Sequence, residues 1–213
     1  FHRGKTKTDV PRVRHIYGDR TQLHDFQSEF EKLSPDVVVD MICYTESDAR
    51  MLMNVFKGIT QRVVAISSID VYRAYGIILG KESGLESVPL IEDSAKRSSL
   101  YPFKDMPIRA LNAPADYEKI MVEKVVMSDS DLPGTIVRLP MVYGENDPLN
   151  RLQPYLQRMD DRRHRIVLLD SLAKWRGSYG YVENIGYAIA LAVTKEVAKG
   201  RIYHVAEPET LSE

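Results

Sequence analysis

Hydroxyl and carboxylate side chains follow an apolar run in the segment Ser67-Ser68-Ile69-Asp70-Val71-Tyr72. The preceding residues 63–66 are Val-Val-Ala-Ile, a short β-branched run that is typical of a buried parallel strand. Ligands bind at the carboxyl ends of the strands in an open α/β sheet, and this pattern places the serines there. A carboxylate at that point can act as a general acid or base. The alternative interpretation is structural, with Ser68 capping a turn and Asp70 forming an Asx turn.

A lysine provides the second candidate for chemistry. Lys119 lies in the segment Tyr117-Glu118-Lys119-Ile120-Met121-Val122-Glu123, where apolar residues at helical spacing predict a helix. A lysine and a glutamate four residues apart lie on the same side of a helix. Lys119 and Glu123 could therefore belong to a site, or they could form an ordinary exposed ion pair.

A third segment completes a recognisable set. Read together with residues 138–144, Arg-Leu-Pro-Met-Val-Tyr-Gly, the two segments above resemble the NAD(P)-dependent epimerase/dehydratase family, the extended or atypical short-chain dehydrogenase/reductases. The resemblance runs from residue 1 to about residue 208. It implies that Ser68 polarises the oxygen of the substrate, that Asp70 assists elimination of water, and that Lys119 binds the cofactor ribose.

The catalytic tyrosine of that family is not at its usual position. Family members have a Tyr one helical turn before the Lys, and here that position holds Ala115. Tyr117 is two residues from Lys119, which on a regular helix is roughly 200° away. Tyr117 would then point elsewhere, unless the helix begins only near Asp116 and an irregular first turn lets Tyr117 bend inward as a catalytic residue.

The resemblance also implies residues for a nicotinamide cofactor, either NAD or NADP. Arg3 follows what resembles the second strand of the family, where an Arg can receive a 2′-phosphate, and this slightly favours NADP. Gly18-Asp19 matches a Gly-Asp pair whose Asp contacts the adenine. The full set expected to contact the cofactor is Arg3, Gly18, Asp19, Ile42, Cys43, Ser67, Lys119, Pro140, Met141 and Val142. The glycine-rich turn that binds the pyrophosphate in the family is absent from this sequence.

The expected substrate is a small molecule, a sugar nucleotide or a related hydroxyl compound. The resemblance assigns its binding to Tyr143, Asn146, Arg151 and Arg176. An Arg suits a phosphate because its guanidinium forms two parallel hydrogen bonds. A surface salt bridge is the alternative role for Arg176. Cys43 is expected to be a small buried residue rather than a nucleophile.

Short apolar segments alternate with helical ones, which predicts βαβ units and a Rossmann-like, doubly wound parallel sheet. Ser47 and Asp116 are expected to cap the helices that follow them. Residues 76–114 are Pro-rich and are predicted to form a long excursion. The strands are predicted at residues 13–17, 37–42, 63–67, 134–139, 166–169 and 201–205, and helices at about 23–33, 47–56, 116–126, 152–159 and 184–197.

The domain organisation follows from these elements. Residues 1–144 are predicted to form the cofactor-binding region, and residues 145–213 a mostly substrate-binding region whose strands and helices return to the core. The first strand and the glycine-rich turn of the family have no counterpart here. We therefore expect a fragment, or a protein with further residues at its ends, and the alternative is a reduced domain.

Composition argues against nucleic acid and membrane as partners. The formal net charge is −1, which gives no global electrostatic reason for binding nucleic acid. No apolar run is long enough to span a bilayer, and no membrane partner is expected. The single cysteine excludes an internal disulfide and a cysteine-rich zinc site, and no metal is expected. It also fits a reducing compartment, so we expect a cytoplasmic protein. The resemblance is compatible with a homodimer.

Two functions remain open at this point. The first is an NAD(P)-dependent oxidoreductase of the epimerase/dehydratase type. The second is suggested by Ala115: a catalytically impaired member that acts as a cofactor-sensing regulator or an RNA-binding protein. The near-neutral charge weakens the RNA version, because phosphate contacts need clustered Lys and Arg.

Overall fold

The chain forms an α/β fold built on a parallel sheet. The computed structural model describes residues 1–5, 10–104 and 113–209. The strands are β1 (Val37–Asp40), β2 (Arg62–Ser68), β3 (Gly134–Leu139), β4 (Met141–Tyr143), β5 (Tyr179–Tyr181) and β6 (Ile202–His204). Four of them form one sheet in the order β1-β2-β3-β6, and every neighbouring pair in it is parallel. The α/β class and the parallel sheet predicted from the sequence are confirmed.

The sheet is covered on both faces. Helices α2 (Glu46–Phe56) and α4 (Lys119–Val126) pack on one face through a cluster that includes Leu52, Val63, Val122 and Ile136. Helix α7 (Val182–Thr194) packs on the other face, where Ala192 meets Val64 and Val137. The helices are α1 (Gln27–Leu33), α2 (Glu46–Phe56), α3 (Arg73–Ile78), α4 (Lys119–Val126), α5 (Gln153–Asp160), α6 (Asp170–Ala173) and α7 (Val182–Thr194).

The register of the central strands determines what reaches the carboxyl edge of the sheet. Ser68, the last residue of β2, lies opposite Leu139, the last residue of β3. Pro140 and β4 therefore follow directly beside the serine. Strand β4 pairs with β5 in a separate parallel two-stranded sheet, and β6 returns to pair with β3.

Two predicted strands are wrong. Residues 13–17 form only one bridge, between Tyr17 and His2, and Val13 and Tyr17 are half or more exposed. A strand needs a continuous ladder with a neighbour, and these residues have no such neighbour among the described residues. Residues 166–169 belong to no strand in the described part of the chain, and Val167 is almost fully exposed. The apolar pattern there does not correspond to burial.

The helix starts also differ from the prediction. Helix α2 is capped by Thr45, not Ser47: the Thr45 hydroxyl accepts from the Asp48 N–H while the Asp48 carboxylate accepts from the Thr45 N–H. This capping box satisfies two donors at once, which a serine within the helix does not do. Helix α4 begins at Lys119 with Glu118 as its cap, so Asp116 lies outside it.

Residues 76–104 of the excursion predicted over 76–114 lie against the carboxyl edge of the sheet, where Arg97 donates to the Asp70 carbonyl and the Glu92 carbonyl accepts from Arg138. The excursion begins within α3, and an antiparallel bridge joins Tyr72 to Lys96. Arg97 buries its whole side chain beneath this segment. Residues 105–112 lie outside the described part of the chain.

Candidate active site at the carboxyl edge of the sheet

The two serines at the end of β2 point to opposite sides because side chains alternate along a strand. The Ser67 hydroxyl donates to Glu123 on α4 at 2.8 Å and is buried in the core. The Ser68 hydroxyl accepts from the Asp70 N–H at 3.2 Å and starts a short 3-10 helix, Ile69–Val71. Of the two, Ser68 offers its side chain to the site, while the Ser67 side chain is not available to a cofactor.

Tyr117 and Asp70 form a buried hydrogen-bonded pair. The Tyr117 hydroxyl donates to Asp70 Oδ2 at 2.6 Å. Burial raises the pKa of Asp70, although the hydrogen bond from Tyr117 and the charge of Arg97 oppose this. Burial and then the charge of Asp70 raise the pKa of Tyr117. The Ser68 hydroxyl interacts with both groups and lowers both pKa values, so the three side chains form one polar cluster.

The orientation of Tyr117 follows from the helix start. On a regular helix Tyr117 would lie far from the side of Lys119. Helix α4 begins only at Lys119, and Glu118 is extended with φ −157° and ψ 97°. Tyr117 therefore precedes the helix and turns inward. Of the two orientations left open by the sequence, the inward one is found.

Lys119 is fixed between the segment that follows β1 and the carboxyl-terminal part of β2. Its Nζ donates to the Cys43 carbonyl at 2.6 Å and to the Ile66 carbonyl at 2.7 Å. The Tyr44 ring covers the ammonium with its centroid 4.9 Å away, a cation–π contact. Burial lowers the pKa of Lys119. Because both Lys119 and Glu123 are buried and have other partners, the exposed ion pair considered from the sequence is wrong.

Cys43 contributes through its backbone. The thiol is fully buried, and burial raises its pKa to about 12. A thiol with so high a pKa is a poor nucleophile. Its carbonyl is the atom that meets Lys119.

A large cleft lies beside this cluster. Its volume is about 1050 Å³, and Tyr44 lies in its wall. Four residues predicted to contact the cofactor also line it, namely Arg3, Gly18, Asp19 and Ile42. Charged side chains of both signs line it, namely Arg3, Lys5, Arg14 and Arg20 together with Asp19, Asp48 and Asp116. Its volume is at the upper end of the range for small-molecule pockets.

Two charged residues in the wall of the cleft, Asp19 and Arg20, are held by contacts with neighbouring residues. The Asp19 carboxylate accepts from the N–H and the hydroxyl of Thr21, which lowers the pKa of Asp19 and begins the 3-10 helix Arg20–Phe26. Arg20 pairs with both Asp40 and Asp48. These contacts fix the shape of the wall near the end of β1.

The residues predicted to bind the substrate are spread over a wider region. Tyr143 lies in β4 with its ring centroid 5.8 Å from that of Tyr181. Arg151 is already engaged, because its guanidinium donates to the Val142 carbonyl at 2.7 Å and to Asp147 at 2.6 Å. Asn146 and Arg176 are exposed. Pro140, Met141 and Val142 begin directly beyond Leu139, beside Ser68 in the sheet register.

Two contributors to the site were missed from the sequence. Tyr44 follows the cysteine that ends the predicted strand, and its only sequence signal is an aromatic residue at a strand end. Arg97 lies in the excursion, where a charged residue among prolines gives no sign of burial. Within the described residues, no three His, Cys, Asp or Glu side chains are grouped as metal ligands.

Comparison with known proteins identifies the family. The model of the NAD dependent epimerase/dehydratase family matches residues 2–206. The chain belongs to this family. The resemblance inferred from the sequence is confirmed. A comparison with curated proteins gives no significant match.

Solved structures show the same fold. The Bordetella bronchiseptica enzyme WbmG in complex with NAD has a TM-score of 0.67 at 14% identity, over 99% of this chain and 64% of that one. A short-chain dehydrogenase/reductase superfamily protein from Agrobacterium tumefaciens with bound NAD has a TM-score of 0.65 at 13% identity, over 95% and 68%. TunA, an NAD-dependent NDP-hexosamine 5,6-dehydratase involved in tunicamycin biosynthesis, has a TM-score of 0.63 at 15% identity, over 98% and 67%. The protein described here spans about two thirds of the length of each of these three relatives. In the part of the chain that the structure describes, no helix is both long enough and apolar enough to cross a membrane.

Proposed function

We propose that the protein is an NAD(P)-dependent oxidoreductase of the epimerase/dehydratase type that acts on a sugar nucleotide or a related hydroxyl compound. The observation that carries the proposal is the cluster of Ser68, Asp70, Tyr117 and Lys119 at the carboxyl edge of the sheet, beside a cleft of about 1050 Å³. Relatives of the same fold are described with bound NAD, with UDP-glucose, or as an NDP-hexosamine dehydratase, which supports this class of ligand.

Each residue has a role in this proposal. A nicotinamide cofactor would accept and return a hydride. Ser68 donates a hydrogen bond to the reacting oxygen, where charge changes during the reaction. Tyr117 transfers the proton of that oxygen, and Asp70 accepts the hydrogen bond of the Tyr117 hydroxyl. Lys119 places a positive charge between the site and the cleft, and Arg3 favours a 2′-phosphate and so NADP.

Tyr117 works under different electrostatics from a phenol beside a free lysine. Its pKa is raised, so at neutral pH it is protonated and acts first as a hydrogen-bond donor and general acid. The Lys119 ammonium is near enough to interact with the Tyr117 ring, at 5.8 Å from the centroid. This charge stabilises a phenolate formed during turnover.

A mutational series tests the proposal. The purified protein is incubated with NAD or NADP and a panel of nucleoside-diphosphate sugars, and product sugars and reduced cofactor are measured by chromatography and absorbance. Tyr117→Phe and Ser68→Ala should each lower kcat by about 10²-fold or more, the range of a general acid or an oxyanion donor. Tyr187→Phe is the matched control, because it removes a hydroxyl from an exposed tyrosine on α7. Turnover that is unchanged in both test variants contradicts the assignment.

The second candidate is a family member that senses the cofactor without turning over a substrate. It is favoured by the internal pairing of the site: Tyr117 is bound to Asp70, and Lys119 to two backbone carbonyls. Binding of NAD(P)H without turnover on any nucleoside-diphosphate sugar supports this candidate. Salt-dependent RNA binding would be needed for its RNA version.

A further inference from the structure

We propose that the buried pair Arg97–Glu118 is a positioning device, which makes helix α4 begin at Lys119 and thereby turns Tyr117 towards Asp70 in the site. The inference rests on the proposed function of that site. It would explain how a Tyr-x-Lys sequence, Tyr117-Glu118-Lys119, can replace a tyrosine at position 115.

Glu118 is held in an extended conformation by four contacts of its carboxylate. Arg97 Nη2 donates to Oε1 at 3.0 Å and Arg97 Nη1 to Oε2 at 3.4 Å. The Tyr101 N–H donates to Oε2 at 2.6 Å, and the Ile120 N–H donates to Oε1 at 2.9 Å. The contact with Ile120 caps α4, so the residue that pairs with Arg97 is also the residue that starts the helix.

The carboxylate could not stay in this place without Arg97. Both side chains are buried, with 0% of Arg97 and 1% of Glu118 exposed. A buried charge without a partner costs several kcal/mol, so loss of Arg97 forces Glu118 to move towards water or to take up a proton. Either change releases the extended conformation that separates Tyr117 from the helix.

The same guanidinium also holds the acceptor of the Tyr117 hydroxyl. Arg97 Nε donates to the Asp70 carbonyl, and the backbone N–H of Arg97 donates to the Val71 carbonyl at 2.9 Å. Asp70 Oδ1 is buried without a hydrogen bond among the described residues, and Arg97 Nη2 is 3.9 Å from it. Both ends of the Tyr117–Asp70 hydrogen bond therefore depend on Arg97.

This arrangement predicts where a restored tyrosine fails. Ala115 lies in the turn before α4 and not one helical turn before Lys119. Ala115→Tyr alone should not raise turnover. The residue that governs the site is Arg97, although it lies more than twenty positions from Lys119 in the sequence.

The test measures Tyr117 directly in the cofactor-free protein, so its outcome is independent of whether turnover is found. Tyrosines are labelled with ¹³C at Cζ, and the Tyr117 signal is assigned with Tyr117→Phe. In the wild type this signal should titrate only above the ordinary tyrosine pKa of 10.0, because burial and Asp70, together with the nearby Tyr44, raise the pKa of Tyr117. In Arg97→Met, and in the milder Glu118→Gln, it should shift and titrate nearer pH 10.

Arg62→Met is the matched control. Arg62 is also a buried arginine, at the opposite end of β2, and its guanidinium donates to the Val193 and Lys195 carbonyls. It should lower stability while leaving the Tyr117 signal unchanged. Where turnover is measurable, Arg97→Met should lower kcat by about 10²-fold with a smaller change in KM, as a misplaced catalytic group does. A Tyr117 signal that is the same in wild type, Arg97→Met and Glu118→Gln overturns the inference. So does the same shift in Arg62→Met.

Discussion

The buried ion pair beneath the site should dominate the response of stability to mutation. Glu123 accepts from Arg138 Nε at 2.8 Å and from Arg138 Nη2 at 2.9 Å, and neither side chain is more than 1% exposed. Glu123→Leu leaves the Arg138 guanidinium buried without its carboxylate, which costs about 3–5 kcal/mol. With a urea m-value of about 2 kcal/mol/M, the midpoint of urea unfolding should fall by roughly 1.5–2.5 M.

A double variant separates the cost of an unpaired buried charge from the cost of changing the shape of the two side chains. Arg138→Met/Glu123→Leu removes both charges and leaves the Ser67 and Tyr72 hydroxyls without these partners, at about 1–3 kcal/mol each. The double variant should therefore be more stable than the sum of the single losses predicts, by about 2 kcal/mol. Urea unfolding followed by circular dichroism measures all four proteins. Single losses that add to within about 0.5 kcal/mol would refute the argument.

The pH dependence of the same variant gives an independent check. Burial acts to raise the pKa of Glu123, but hydrogen bonds and charge from Arg138 outweigh it and hold the pKa below its ordinary value. The stability that this carboxylate contributes is therefore present above the unfolded pKa of 4.5 and is lost as pH falls through the folded pKa. The difference in unfolding free energy between the wild type and Glu123→Leu should shrink in acid. A constant difference down to about pH 3 would contradict this.

Three further outcomes are expected. Cys43 should react with a thiol reagent about 10³-fold more slowly in the folded protein than in urea at pH 8. The reason is that only the thiolate reacts, and the pKa of Cys43 is raised from 9.0 to about 12 in the folded state. Equal rates would show an accessible thiol. Asp70 has a raised pKa, so the folded state binds its proton more tightly than the unfolded state does, and the unfolding free energy should fall as pH rises from the unfolded pKa of 3.8 through the folded pKa. Asp70→Asn should abolish this pH-dependent loss in urea titrations. A loss that persists in the variant would come from another group. Thr45→Ala should lower the unfolding free energy by about 1 kcal/mol, whereas Ser47→Ala should change it by less than about 0.5 kcal/mol; the reverse order would place the cap at Ser47.

The parallel sheet could be predicted from the sequence where strands are buried on both faces. Residues 62–67 are all buried, and their β-branched run is a direct sign of that environment. Residues 13–17 carry a similar pattern but pair through a single bridge, at Tyr17. A local pattern reports the preference of a segment and not the presence of its neighbour, so the strand at 13–17 was predicted wrongly.

The candidate residues of the site that could be predicted from the sequence are those with a recognisable local sequence around them. Ser68 and Lys119 became candidates because their neighbours in sequence match a family pattern. In the structure Ser68 ends β2, and Lys119 Nζ donates to the Ile66 carbonyl of the same strand. The orientation of Tyr117 was left open, because it depends on where α4 begins. That start depends on Glu118, and Glu118 depends on an arginine from the excursion. Contacts between distant segments leave no periodicity in the sequence, so neither Arg97 nor Tyr44 could be identified from it.

Arg97 and Arg138, two buried arginines at the carboxyl edge of the sheet, mark a reactive part and a structural part of that edge. Arg138 pairs with Glu123, whose pKa is lowered, so this pair stays ionised and fixed at neutral pH. Arg97 pairs with Glu118 and only approaches Asp70, whose pKa burial raises. Asp70 is therefore the one of these three carboxylates whose charge is weakly compensated, and it is the one that meets the Tyr117 hydroxyl. A proton can move there at a lower electrostatic cost than at Glu123, because Ser67, Lys96 and Arg138 all donate to the Glu123 carboxylate and stabilise its anion.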